Sequence, residues 1–135
     1  MSTLAVGTIK SISSATPVFQ NTSGTEKGQL VKAWVNFNGT GTVAIRDSFN
    51  VSSITDVATG QYYINFATAL PNDDYAAASE AQLNENSSGF WGTVQSGVTS
   101  GTGWTTTQHK MYTRLYNSGS TTDALHITLI FCCND

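Results

Sequence analysis

The stretch "KAWVNFNGTGTVAIRDSFNV", Lys32–Val51, decides how the rest of the chain is read. Ala33, Val35 and Phe37 alternate with Lys32, Trp34 and Asn36, the period of two that sends alternate side chains to opposite faces of a strand. Gly39-Thr40-Gly41 supplies a flexible turn, and Thr42-Val43-Ala44-Ile45-Arg46 reads as the return strand of a β-hairpin.

Downstream, the same pattern recurs. "DVATGQ" (Asp56–Gln61) is a turn, after which Tyr62, Ile64 and Phe66 share one face while Tyr63 and Asn65 take the other. Pro71-Asn72-Asp73-Asp74 is a further turn, with proline removing a ladder donor and the Asx side chains capping local backbone. "YAAASEAQLNE" (Tyr75–Glu85) has the one run of helical propensity, but a strand through Tyr75–Ser79 is favoured over a short helix because the context is strand throughout. "NENSSG" (Asn84–Gly89) and "VTSGTG" (Val98–Gly103) read as loops. His109, Met111, Thr113 and Leu115 then alternate with Lys110, Tyr112, Arg114 and Tyr116, and after "NSGSTTD" the residues Leu125, Ile127, Leu129 and Phe131 form the most apolar face of the chain.

About eight short strands separated by turn chemistry predict an all-β fold, an antiparallel β-sandwich or small, jelly-roll-like barrel. Residues 29–135 form that domain. Residues 1–28 are less regular, with weak alternation at Leu4, Val6 and Thr8 and a turn-like "NTSGTEKG" (Asn21–Gly28), and are expected to be an arm with an edge strand or an attachment segment. No repeat of fixed period is present.

Composition sets the broad class. The 135 residues are enough for one domain with a modest core. Charged residues make up 11%, well below the roughly 25% of an average soluble protein, and Ser, Thr, Asn and Gly fill the gap with neutral hydrogen-bonding groups. Three Trp, five Tyr and six Phe argue for folding and against disorder. The net charge of −3 and the scatter of Lys10, Lys27, Lys32, Arg46, Lys110 and Arg114 argue against nucleic-acid binding, which needs clustered cations. There is no apolar run long enough to span a membrane and no basic n-region with an apolar h-region at the start, so neither membrane insertion nor secretion is expected.

Catalytic chemistry finds little support. His109 and His126 lie on separate predicted strands and approach each other only if those strands pair; with no motif around them, surface or satisfied-core roles are the simpler account. Asp73-Asp74 has oxygen ligands suited to Ca²⁺, but the Pro-Asn-Asp-Asp sequence is better explained as a turn. Asn21, Asn38, Asn50 and Asn86 match the glycosylation pattern, as chance allows in so Ser/Thr/Asn-rich a chain. Adjacent Cys132 and Cys133 point in different directions on a strand, which disfavours a disulfide between them and leaves reduced thiols or a cross-link between subunits; two such residues do not make a structural zinc site. No catalytic residue, metal site or cofactor is assigned. "GFWGT" (Gly89–Thr93) and "SGTGWTTT" (Ser100–Thr107) each set a tryptophan among small polar residues, so Trp91 and Trp104 are the candidate receptor contacts, their flat faces suited to sugar rings. Packing against the core or a neighbouring subunit is the competing account of both.

Ala33–Arg46 (AWVNFNGTGTVAIR), Ser48–Asp56 (SFNVSSITD) and Asn65–Tyr75, with its spaced N-F, T-A, P and Y, resemble a segment of the tail fibre proteins of tailed bacteriophages, including phages of cyanobacteria and marine bacteria. The resemblance implies a β-rich, homotrimeric virion protein, assembled in the host cytoplasm, that contacts other virion tail or baseplate proteins and adheres to a host surface glycan or protein. In such fibres the segment usually follows a long shaft, whereas here about 30 residues precede it. That departure admits an alternative, a structural capsid or tail decoration with protein contacts alone. A hydrolase acting on surface polysaccharide would need an acid pair or triad that the spacing does not offer.

Overall fold

The computed structural model of the protein describes Lys10 and residues 31–83, 91–96, 103–115 and 118–133, with backbone alone for 91–96. Eight strands carry the described fold: β1 (Val31–Asn38), β2 (Ala44–Phe49), β3 (Val51–Ala58), β4 (Gln61–Phe66), β5 (Ala76–Gln82), β6 (Trp91–Ser96), β7 (Gln108–Leu115) and β8 (His126–Cys132). All pairings are antiparallel, in the order β2-β1-β8-β5-β6-β7-β4-β3.

The ladder bends into two layers, β2-β1-β8-β5 and β6-β7-β4-β3, because each has one apolar face to remove from water. Ala33, Val35 and Phe37 of β1 and Ile127, Leu129 and Phe131 of β8 point inward from the first layer, all fully buried. Tyr62 and Ile64 of β4 and His109, Met111 and Thr113 of β7 answer them from the second, also fully buried. Rings interlock edge to face across the gap: Phe37 with Tyr62 at 5.3 Å between centroids and Phe66 with Phe131 at 5.1 Å. Edge-to-face pairs match the positive ring edge to the negative ring face and add about 1 kcal/mol each to the area they bury.

The layers join in two ways. β5 and β6 share the short register Ala81↔Gly92 and Gln82↔Trp91. On the other side the chain passes from β2 directly into β3 through Asn50, the one described non-glycine residue at positive φ (55°). Asparagine tolerates this conformation better than most residues, and its side chain holds the corner: Nδ2 donates to the carbonyls of Lys32 and Thr68, both at 3.1 Å, and Oδ1 accepts from Thr68 N at 2.8 Å. β2 and β3 are therefore covalent neighbours without being ladder partners, so the structure is a sandwich and not a closed barrel.

The first hairpin turns where the glycines predict. Asn38 Oδ1 accepts from Thr40 N (3.1 Å) and Thr40 Oγ1 (2.8 Å), while its Nδ2 donates to Thr40 O (2.7 Å), and Gly41 takes φ 63°. Tyr75–Ser79 falls in extended chain, most of it in β5, as the sequence context favoured over the helix. At Pro71–Asp74, Asn72 Oδ1 accepts from Asp74 N at 3.1 Å, an Asx turn. The last apolar run differs from expectation at one position: Leu125 lies before β8 and is half-buried, while Ala124 is fully buried. Strand alternation begins only at His126, so it does not govern Leu125. The expected arm over 1–28 apart from Lys10, the Asn84–Gly89 loop and all of the Val98–Gly103 loop but Gly103 lie outside the described residues.

Candidate functional site

Trp104 sits at the foot of a tight hairpin that leads into β7. Lys110 N donates to Gly103 O at 2.8 Å and Thr105 N to Gln108 O at 3.0 Å, so Trp104 is bridged to His109. Thr105 locks the turn: its Oγ1 accepts from Gln108 N (3.0 Å) and donates to Gln108 O (3.1 Å). The hairpin is fastened to the β4–β5 connection by Leu70 N to Thr106 O (2.7 Å) and Phe66 N to Thr107 O (2.9 Å). Four threonine and glutamine side chains thus follow the tryptophan on backbone fixed at both ends.

Beneath Trp104 lies an aromatic cluster. Its ring stacks on Tyr75 with centroids 5.1 Å apart and planes within 10°, and tilts against His109 at 5.4 Å. Tyr75 is 2% exposed and His109 fully buried, whereas Trp104 remains 36% exposed. Tyr75 and His109 in turn rest on Phe131, at 5.8 and 5.1 Å. An indole stacked on a buried ring cannot swing freely. It offers its exposed surface with little rotamer entropy left to lose on binding.

The electrostatics of the cluster favour neutral forms. The Tyr75 hydroxyl lies 3.1 Å from His109 Nδ1. Burial pushes the His109 imidazole down to about 4, so the ring is uncharged at neutral pH. Burial likewise raises the Tyr75 phenol well above its ordinary range. At neutral pH both groups are therefore uncharged, and the contact between them is a neutral hydrogen bond that holds the two rings together.

Of the two tryptophans singled out from sequence, Trp104 is thus on a fixed, exposed platform. Trp91 opens β6 opposite Gln82, and its side chain lies outside the described residues. The two histidines do not come together, because β7 and β8 belong to opposite layers: His109 faces inward, and His126 lies half-buried on the alternate face of β8. Cys133 is buried in the core and Cys132 half-buried beside Ala76 in the register, with no disulfide between them. Among the described residues no group of three or more His, Cys, Asp or Glu is placed to hold a metal ion, and no helix is long and apolar enough to cross a membrane.

Sequence reasoning missed Tyr75, the residue that immobilises Trp104, because a tyrosine after a turn carries no local mark of its partner. It also missed the apolar row on the outer face of the first layer. Phe49, Trp34, Ile130 and Ala78 are register partners across β2, β1, β8 and β5, and Phe49 and Ile130 are 53% and 41% exposed. The alternation at Trp34 was legible, but its neighbours come from distant parts of the chain. The chain matches no protein-family model, no curated protein and no solved structure.

Proposed function

We propose that this chain is a tail fibre protein of a tailed bacteriophage, a virion surface module that adheres to a host-cell glycan through the Trp104 platform. The fixed, half-open indole above Tyr75 carries the reading, since a flat, partly exposed apolar face in a segment rich in hydroxyl and amide side chains, Thr105–Gln108, suits a sugar ring. The resemblance of Lys32–Ala77 to tail fibre segments supports the virion setting. In this reading adhesion proceeds without turnover, and the two titratable rings packed against Trp104, Tyr75 and His109, are buried and neutral at pH 7.

The test is adhesion of purified full-length protein to host cells and to a glycan array, wild type beside Trp104→Ala. Loss of binding by a variant that keeps its melting temperature supports the platform; undiminished binding by that variant rejects it.

The exposed row Phe49–Trp34–Ile130–Ala78 favours a second feature, contact with other protein chains. Within the first reading it is the surface on which three copies associate. In the alternative, a capsid or tail decoration, it meets other virion subunits and no glycan is bound. Sedimentation of wild type against Phe49→Ser separates self-association from its absence, and the position of the protein in a virion reconstruction separates tail from capsid.

A further inference from the structure

The outer face of the second layer carries a chemistry different from that of the Trp104 platform. Lys110, Tyr112 and Arg114 alternate out of β7, and Tyr63 of β4 stands beside Lys110 in the register. Lys110 Nζ lies 5.6 Å from the Tyr63 centroid and 5.3 Å from that of Tyr112, and Arg114 Cζ lies 5.5 Å from Tyr112. One ring therefore holds two cations near it, and although Tyr112 faces outward it is only 7% exposed.

Around these groups the face is neutral. The rows across it read Ser53–Asn65–Gln108, Thr55–Tyr63–Lys110, Ala58–Gln61–Tyr112–Gln95 and Arg114–Thr93. Asn65 Nδ2 donates to Ser53 Oγ at 3.0 Å and Thr55 Oγ1 at 2.9 Å, which fixes these side chains on the same side. Among the described residues no Asp or Glu takes a place in these rows. The outer face of the first layer differs: its row Asp47–Asn36–Thr128–Glu80 carries two carboxylates, with the Arg46 guanidinium 3.4 Å from Asn36 Oδ1 beside them.

We infer that the face built from Tyr63, Lys110, Tyr112 and Arg114 binds an acidic saccharide, one whose rings carry carboxylate or sulfate groups. Three observations carry this beyond the Trp104 reading, from which it is independent. Among the described residues the cations face no carboxylate, so an incoming anion meets a positive field without displacing an internal partner. The half-buried Arg114 guanidinium rests over the Tyr112 ring and its Nε–H has no hydrogen-bond partner among the described residues, so no internal acceptor at that edge competes with an incoming anion. The remaining surface is hydroxyl, amide and aromatic, which suits polyhydroxylated rings. Two cations are too few to follow a nucleic-acid backbone. The hydrogen bond that Lys110 donates to Tyr112 raises its ammonium above the ordinary range, so the charge persists through neutral pH.

Full-length protein is titrated with polygalacturonate, dextran sulfate and neutral dextran, at low and at physiological salt. Wild type is expected to bind at least one of the acidic polymers, more weakly as salt rises, and to leave dextran unbound. Lys110→Gln and Arg114→Gln each weaken that binding by about tenfold, as loss of one charge-assisted contact requires. Both substitutions lie on the surface, and the salt titration of wild type stands as a second readout should either unfold. Trp104→Ala leaves acidic-polymer binding unchanged, so failure here is distinct from failure of the Trp104 platform. Preference for polygalacturonate or for dextran sulfate identifies the acidic group. Equal binding of dextran, binding of neither acidic polymer, tighter binding of single-stranded DNA, or undiminished binding by both glutamine variants overturns the inference.

Discussion

Asp123 and Tyr62 join three turns at one point. Asp123 Oδ1 accepts from the Tyr62 hydroxyl at 2.9 Å and from Gly60 N at 2.7 Å, and the same hydroxyl reaches Gly39 O at 3.1 Å. The β1–β2 turn, the β3–β4 turn and the segment before β8 are thereby fastened together above the Phe37–Tyr62 ring pair. Burial, with Asp123 beside it, raises the Tyr62 phenol well above its ordinary range, so it stays a donor.

Asp123→Ala leaves the Gly60 N–H without its acceptor and the buried Tyr62 hydroxyl with Gly39 O alone, which is expected to cost about 2 kcal/mol. Asp123→Asn keeps an oxygen in that place and is expected to cost less. Denaturant midpoints of the two variants give the comparison, and equal losses would show that the shared oxygen is not what matters.

Gly60 and Gly41 both have positive φ, 65° and 63°, but in different surroundings. A Cβ at Gly60 would lie 2.6 Å from both Thr122 N and Thr122 O and 2.8 Å from Thr113 O, whereas one at Gly41 meets nothing within 4 Å. Gly41→Ala is therefore expected to cost only the left-handed strain, about 1 kcal/mol. Gly60→Ala adds a backbone clash and is expected to cost about 3 kcal/mol or more. Thermal unfolding of the pair measures the difference.

The neutral state of His109 makes stability depend on pH. With a folded value of about 4 against an ordinary 6.5, the unfolded chain binds a proton between those limits that the folded one refuses. The contribution is whole above pH 6.5, falls as pH drops, and is gone below about 4. Melting temperature followed across pH 7 to 4 should fall more steeply for wild type than for His109→Gln. Parallel curves would place the acid sensitivity elsewhere.

Leu129 and Leu125 separate the core from its margin. Leu129 is fully buried in β8, and Leu125 is half-buried before the strand, its N donating to Leu83 O at 3.2 Å. Leu129→Asp puts an unpaired carboxylate among apolar side chains and is expected to abolish folding. Leu125→Asp should also destabilise, but leave a cooperative transition. Circular dichroism of both proteins tells the two apart.

Much of the architecture was open to reading in the chain itself. Alternation at Ala33–Phe37, Tyr62–Phe66, His109–Thr113 and Ile127–Phe131 names the inward side chains, and the turns at Gly39–Gly41 and Pro71–Asp74 form as their chemistry requires. Such features are local: pleating sends every second residue to one side, and Gly, Asn and Asp bond to backbone two residues away.

Other features arise between residues far apart in sequence. No short window announces that Asn50 turns left-handed to carry the chain from one layer to the other, that His109 and His126 end in different layers, or that Tyr75 comes to lie under Trp104. Nor does any window reveal that Phe49, Trp34, Ile130 and Ala78 line up on one face while Lys110 and Arg114, on another, stand opposite no carboxylate among the described residues. Periodicity assigns each strand an inside and an outside but is indifferent to which strand lies next to it. Ladder order is settled by the joint packing of all eight strands, and the binding surfaces proposed for this protein are consequences of that order.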